Sequence, residues 1–175
     1  MDKKANKRGF TLIELLVSIS IIALLSGLFL VNYRSTNKRS ELNMAKQRLA
    51  SDIRQAQNNS LGAKTYDGVN TPAGGWGAHF ELTSPTNYII FADKDEDQAY
   101  DPNDNEMMET RILPTGVTIS ALNPANTVDV VFLPPDPKTY VNGADDIDAQ
   151  ITLEENIASS TATLSINFFG LIDTD

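Results

Sequence analysis

From Phe10 to Val31 the chain runs for 22 residues with a single charge, Glu14. Wound as a helix, such a run spans about 33 Å, enough to cross the hydrocarbon core of a bilayer. A secretory signal has a shorter apolar stretch, about 7–15 residues, followed by a small-residue cleavage site. Val31-Asn32-Tyr33-Arg34 offers no such site, so the run reads as a retained membrane helix. Beyond it, Leu42, Ala45, Leu49, Ile53 and Ala56 recur at spacings of three and four, with Lys46, Arg48, Asp52 and Arg54 between them. That period predicts an amphipathic helix whose apolar stripe lies on a core. Asn58-Asn59-Ser60-Leu61-Gly62 supplies a stop signal. One helix is therefore expected over about residues 11–61, anchor (10–31) first and stem (32–62) second.

After Gly62 the pattern changes to short apolar runs separated by turn residues. Strands are predicted near 75–82, 87–92, 107–113, 116–121, 127–133, 148–153 and 161–168. Ser84-Pro85-Thr86-Asn87, Pro114-Thr115-Gly116, Asn123-Pro124 and Asn142-Gly143 mark the turns. Residues 134–147, with three prolines and a run of Asp, read as an exposed loop. The expected fold class is α+β: one long N-terminal helix packed on a mainly antiparallel sheet head, residues 63–175.

Charge divides the chain in the same places. Residues 1–9 carry four Lys/Arg against Asp2 (+3), residues 32–64 seven against two acids (+5), and residues 65–175 three against nineteen (−16). The acidic head repels phosphates, which disfavours nucleic acid as a partner. The basic stretch lies next to the anchor, where anionic lipid headgroups suit it. No cysteine is present, so disulfides, zinc-thiolate sites and thiol chemistry are all excluded.

Arg8-Gly9-Phe10-Thr11-Leu12-Ile13-Glu14 opens the apolar run. An uncleaved signal anchor is the plainest reading, but Glu14 weighs against it. A carboxylate in the apolar helix costs on the order of 2–3 kcal/mol in lipid unless it is paired. Thr11-x-x-Glu14 also fits a capping box, which gives the carboxylate a structural use. The phrase Gly-Phe-Thr-Leu-Ile-Glu-Leu-Leu resembles the leader of type IV prepilins and type II secretion pseudopilins, over residues 3–31. The resemblance implies a prepilin peptidase cutting between Gly9 and Phe10, with removal of residues 1–9 and N-methylation of Phe10. It implies too that Glu14 meets the amino terminus of a neighbouring subunit, on an inner-membrane assembly platform. Four Lys/Arg precede the anchor and five follow closely, so charge alone does not orient it. The cytoplasmic leader and outer-side head of a single-pass protein follow from the resemblance. Where many major pilins have a kinking proline this chain has Val31, so a straighter helix is expected, with Gly27 its soft point.

In the head, Gly75-Trp76-Gly77-Ala78-His79-Phe80, Tyr88-Ile89-Ile90-Phe91-Ala92-Asp93 and Ile166-Asn167-Phe168-Phe169-Gly170 resemble GspH/FimT-type pseudopilins and minor pilins. Some relatives serving DNA uptake are basic near that final glycine. Here Leu171-Ile172-Asp173-Thr174-Asp175 is acidic, which disfavours DNA capture.

One constellation suggests a metal. Asp93, Asp95, Asp97, Ala99, Asp101 and Asp104 fall at the 1, 3, 5, 7, 9 and 12 positions of a calcium loop. Gln98 stands where such loops have glycine, and Asp104 is shorter than the usual Glu, with Glu106 close enough to substitute. A solvated acidic hairpin without an ion is the competing reading. His79, the only histidine, reads as a partly buried strand residue; Trp76, Phe168 and Phe169 read as core or sheet-edge packing. No serine stands in a nucleophile elbow and no phosphate loop is present, so no enzyme is expected. The function expected is a pseudopilin or minor pilin of an envelope filament, with prepilin peptidase and other pilin subunits as partners. The alternative is a membrane-anchored, calcium-dependent binding module that does not polymerise.

Overall fold

The computed structural model describes residues 9–134, 138–157 and 159–174, and for 30–36 the backbone alone. The predicted leader (1–9) lies, except for Gly9, outside the described residues. Helix α1 runs from Leu12 to Leu61, and the chain divides into two compact units after Asn37.

In the first unit the helix begins on a capping box. Glu14 N–H donates to Thr11 Oγ1 at 3.3 Å, and Thr11 N–H donates to Glu14 Oε2 at 3.0 Å. The stretch Leu12–Phe29 is long and apolar enough to cross a membrane. Its large side chains, from Leu12 to Phe29, are all exposed.

In the second unit the predicted stripe is the core face of the stem. Leu42, Ala45, Leu49, Ile53 and Ala56 are all buried, joined by Ala50. The helix stops in a Schellman motif: Lys64 N–H reaches Asn59 O at 2.8 Å and Ala63 N–H reaches Ser60 O at 3.0 Å. The left-handed residue is Ala63 (φ 47°), one place after the glycine that the sequence offers.

Among the described residues nine strands follow: β1 Gly75–Glu81, β2 Asn87–Asp93, β3 Met107–Ile112, β4 Val117–Asn123, β5 Thr127–Leu133, β6 Lys138–Val141, β7 Ala149–Glu155, β8 Ser160–Ile166 and β9 Ile172–Thr174. They form two antiparallel sheets, ordered β3-β2-β1-β5-β6 and β4-β7-β8-β9. The α+β expectation stands, with the head's strands divided between two sheets. Alternation places Trp76, Ala78 and Phe80 of β1 in the main core with the stem residues. Gly77 lies on the other face, where an added Cβ would stand 2.7 Å from the Phe91 ring.

Two readings need correction. The region 134–147 is not wholly loop, because β6 pairs with β5 from Val130↔Val141 to Leu133↔Lys138; residues 135–137 lie outside the described set. Phe168 and Phe169 are not core. They sit on the turn between β8 and β9, their rings 4.0 Å apart and tilted by 38°, with Phe169 72% exposed. Asn167 Oδ1 accepts the N–H groups of Phe169 and Leu171, and that Asx turn pushes the rings outward.

Candidate functional site

The first candidate site is the N-terminal segment. Gly9, Phe10 and Thr11 precede the helix, and Phe10 is 87% exposed, so the Gly9–Phe10 bond lies in open, non-helical chain. Proteolysis concentrates in exposed chain outside helices and strands, and the Gly9–Phe10 bond lies in such chain. Glu14 sits one turn further on. Its Oε2 accepts both the N–H and the hydroxyl of Thr11, each at 3.0 Å. A carboxylate has about four acceptor sites, so Oε1 still has lone pairs to offer a cation. The capping role and a pairing role therefore do not compete for the same oxygen.

The second is the acidic loop between β2 and β3, which lies over the outer face of the five-stranded sheet. Tyr100 fastens it there, its ring 5.4 Å from Phe91 and 4.7 Å from His79. Two of the carboxylates are fully buried. Asp93 accepts Glu96 N–H at 2.8 Å and Gln98 N–H at 3.0 Å. Glu106 accepts Lys94 N–H at 2.8 Å and Asp101 N–H at 3.0 Å. Gly74 makes room for the Asp93 carboxyl: a Cβ there would stand 1.9 Å from Oδ2. Burial pushes the Asp93 carboxyl up to about 6, against those two N–H groups and with help from Glu106 and Asp97. Burial raises Glu106 in the same way.

The six positions of the calcium pattern do not converge. Asp93 and Asp95 come together with Glu106, ligand atoms within 4.8 Å of one another. Asp97 turns to Ala99 N–H at 2.9 Å, and Asp101 caps Asn103 N–H at 2.7 Å. Asp104 lies in the short 3-10 turn Pro102–Asp104. Three carboxylates supply three oxygens, or up to six when bidentate, of the 6–8 that calcium takes. Gln98 does occupy the left-handed region (φ 59°) where the glycine of such loops sits. Lys94 is the loop's internal cation. Its ammonium donates to Asn105 O and lies 4.8 Å over the Tyr66 ring.

His79 is partly buried, as expected, and its Nδ1 stands 2.6 Å from Asp129 Oδ1, the residue opposite it on β5. Sequence reasoning missed Asp129, Tyr100 and the burial of Glu106. Asp129 had a signal, a lone carboxylate between Val128 and Val130, and Tyr100 was the one aromatic residue in an acidic run. Glu106 had none, because burial of a carboxylate cannot be told from its neighbours in sequence.

The prokaryotic N-terminal methylation motif matches residues 4–30 of this chain. The match supports a type IV pilin-like precursor processed at its N-terminus, and with it the action of a prepilin peptidase and assembly with other pilins. The motif and the apolar helix are consistent with a membrane-anchored protein. No curated protein and no solved structure matches the chain.

Proposed function

We propose that this chain is a non-enzymatic filament subunit, a minor pilin or pseudopilin of the GspH/FimT type. Its leader is removed between Gly9 and Phe10, the new Phe10 amine is methylated, and the helix passes from the bilayer into a filament through the assembly platform. The observation that carries this reading is the methylation motif over residues 4–30, read onto the stretch Leu12–Phe29 of α1, whose large apolar side chains are all exposed.

The physics of the transfer gives Glu14 its role. Lipid tails are as apolar as Leu and Ile, so moving the anchor from lipid into a bundle of like helices gains no hydrophobic free energy. What distinguishes one register from another is polar. A carboxylate and a protonated amine are each costly in hydrocarbon and tolerable as a pair. Glu14, capped on Oε2 and open on Oε1, sets the axial position at which a neighbour's Phe10 amine meets it.

The test is Glu14→Ala, assayed by cross-linking of membranes that also hold the peptidase and the partner pilins. Insertion and leader removal should persist while cross-linked assemblies disappear. Assemblies formed at the unsubstituted level would refute the proposed role of Glu14. A chain that assembles nowhere, substituted or not, and keeps its leader would favour a plain anchored module.

A further inference from the structure

The turn between β8 and β9 carries three exposed apolar side chains, Phe168, Phe169 and Leu171. It is fixed by its own hydrogen bonds and by the stem. Besides the Asx contacts of Asn167, Phe168 N–H donates to Asp148 Oδ1 at 3.0 Å and Gly170 N–H to Asn167 O at 2.8 Å. From α1, Gln57 Nε2 donates to Gly170 O at 3.0 Å and Arg54 donates to Ile172 O at 3.1 Å. A knob held this firmly has little backbone freedom left to lose on binding, and exposed aromatic side chains are the commonest interface anchors.

On the other flank of the stem lies an open cavity of about 230 Å³. Tyr66, Trp76, Ile90 and Met108 give it an apolar, aromatic lining, and α1 contributes Gln55 and Asn59. At about 3.6 residues per turn, those two stand roughly 150° around the helix axis from Arg54 and Gln57. Knob and cavity therefore flank the buried stripe on opposite sides, at the same level of the stem. Of the charged residues in the lining, Glu109 and Arg111 meet each other at 2.9 Å. Lys64 remains, its ammonium 5.3 Å over the Trp76 ring.

That lining selects its occupant. An anion would meet the Glu109 carboxylate, whereas an aromatic ring meets other rings, a thioether and an ammonium, each of which attracts it. The space suffices, since an apolar cavity of about 150 Å³ holds benzene. We infer that Phe169 of one chain seats in this cavity of a second copy, with Phe168 and Leu171 closing around its mouth. Knob and cavity are different surfaces, so the contact is heterologous. In a joined pair one knob and one cavity stay free, and the pairing propagates instead of closing on a two-fold axis. For its place in a filament this contact rests on the function proposed above; the contact itself is tested apart from it.

The chain has no cysteine, so two singly substituted full-length chains, mixed in detergent micelles, report the contact. One carries Leu171→Cys beside the knob, the other Thr65→Cys in the cavity lining. A short bis-maleimide should join the two kinds of chain to each other and scarcely either kind to itself. Phe169→Ala in the first chain should lower that product about tenfold or more, the worth of one interface anchor. Phe169→Glu should lower it as far, while Phe169→Trp keeps a ring and should keep the product. Phe169 is exposed, so these changes leave the core intact. Glu14→Ala should leave the micellar product unchanged. Failure of assembly in membranes with that product intact would refute the filament reading and spare the contact. Absence of the product, or its persistence in Phe169→Ala or Phe169→Glu, would overturn the proposal. So would equal joining of like chains, loss of the product in Glu14→Ala, or a product that forms only when other pilins are added.

Discussion

Tyr88→Phe tests how the stem is held to the sheet. Tyr88 on β2 donates its hydroxyl to Asp52 Oδ2 of α1 at 2.6 Å, and both residues are buried. Arg111, the cross-strand partner of Tyr88 on β3, brings its Nε to 3.6 Å from the same oxygen. That Nε has no hydrogen bond of its own among the described residues, so the guanidinium serves as a nearby charge and the phenol as the donor. Burial and the adjacent carboxylate hold the Tyr88 hydroxyl well above its ordinary range, so it remains a donor at every working pH. Removing a hydrogen bond to a charged group costs about 1.5–3 kcal/mol, and no water replaces it easily at a buried site. The expected loss is therefore about 2 kcal/mol. It can be followed in urea by the fluorescence of Trp76, the only tryptophan, which is buried against the stem. Asp52→Asn should recover part of the loss in the Tyr88→Phe background, because the orphaned charge is then gone. A cost below about 0.5 kcal/mol for Tyr88→Phe would refute the reasoning, since surface substitutions fall in that range.

Ala63→Gly should stabilise the chain by about 0.5–1 kcal/mol in the same urea assay, because Ala63 occupies the left-handed C′ position of the Schellman motif; a loss of stability would contradict it. Tyr100→Ala should cost about 2 kcal/mol, roughly half the value of a fully buried aromatic residue, and should speed amide exchange across 94–105; unchanged exchange would show that the ring does not fasten the loop. The Asp93 carboxyl is raised to about 6 in the fold, above its unfolded value. Its contribution is therefore fully present below about pH 4 and lost as the pH rises through about 6. Melting midpoints should accordingly fall between pH 5 and 7.5, and fall less in Asp93→Asn; a rise that Asp93→Asn leaves unchanged would reverse the assignment. With three carboxylates gathered, calcium at about 1 mM should leave exchange in the loop unchanged, and clear protection would mean that Asp93, Asp95 and Glu106 collect an ion.

What could be read from the sequence followed from how local its cause was. The stripe Leu42–Ala56 was legible because a 3.6-residue period is written in consecutive turns, and all five positions are buried. Seven strands were legible from alternation between turn residues. β6 was hidden because four residues among prolines and aspartates carry no period, and β9 because three residues do not make one. The division into two sheets was hidden for a different reason: β1 pairs with β5, far along the chain, while β4 pairs with β7. In the acidic loop, spacing showed where carboxylates cluster but not which way they turn. Asp97 and Asp101 cap amides of their own loop, and Asp93 and Glu106 are buried by a loop that Tyr100 folds over the sheet. Phe168 and Phe169 were misplaced because hydrophobicity alone does not record a side-chain amide that turns the backbone outward.

The central claim is that the chain matures by losing its leader and then assembles through the exposed helix. Intact-mass and N-terminal analysis of the protein recovered from the cell envelope tests it most directly. The account predicts a mature chain that begins at N-methylated Phe10. A chain that still begins at Met1 in assembled envelope material would contradict it.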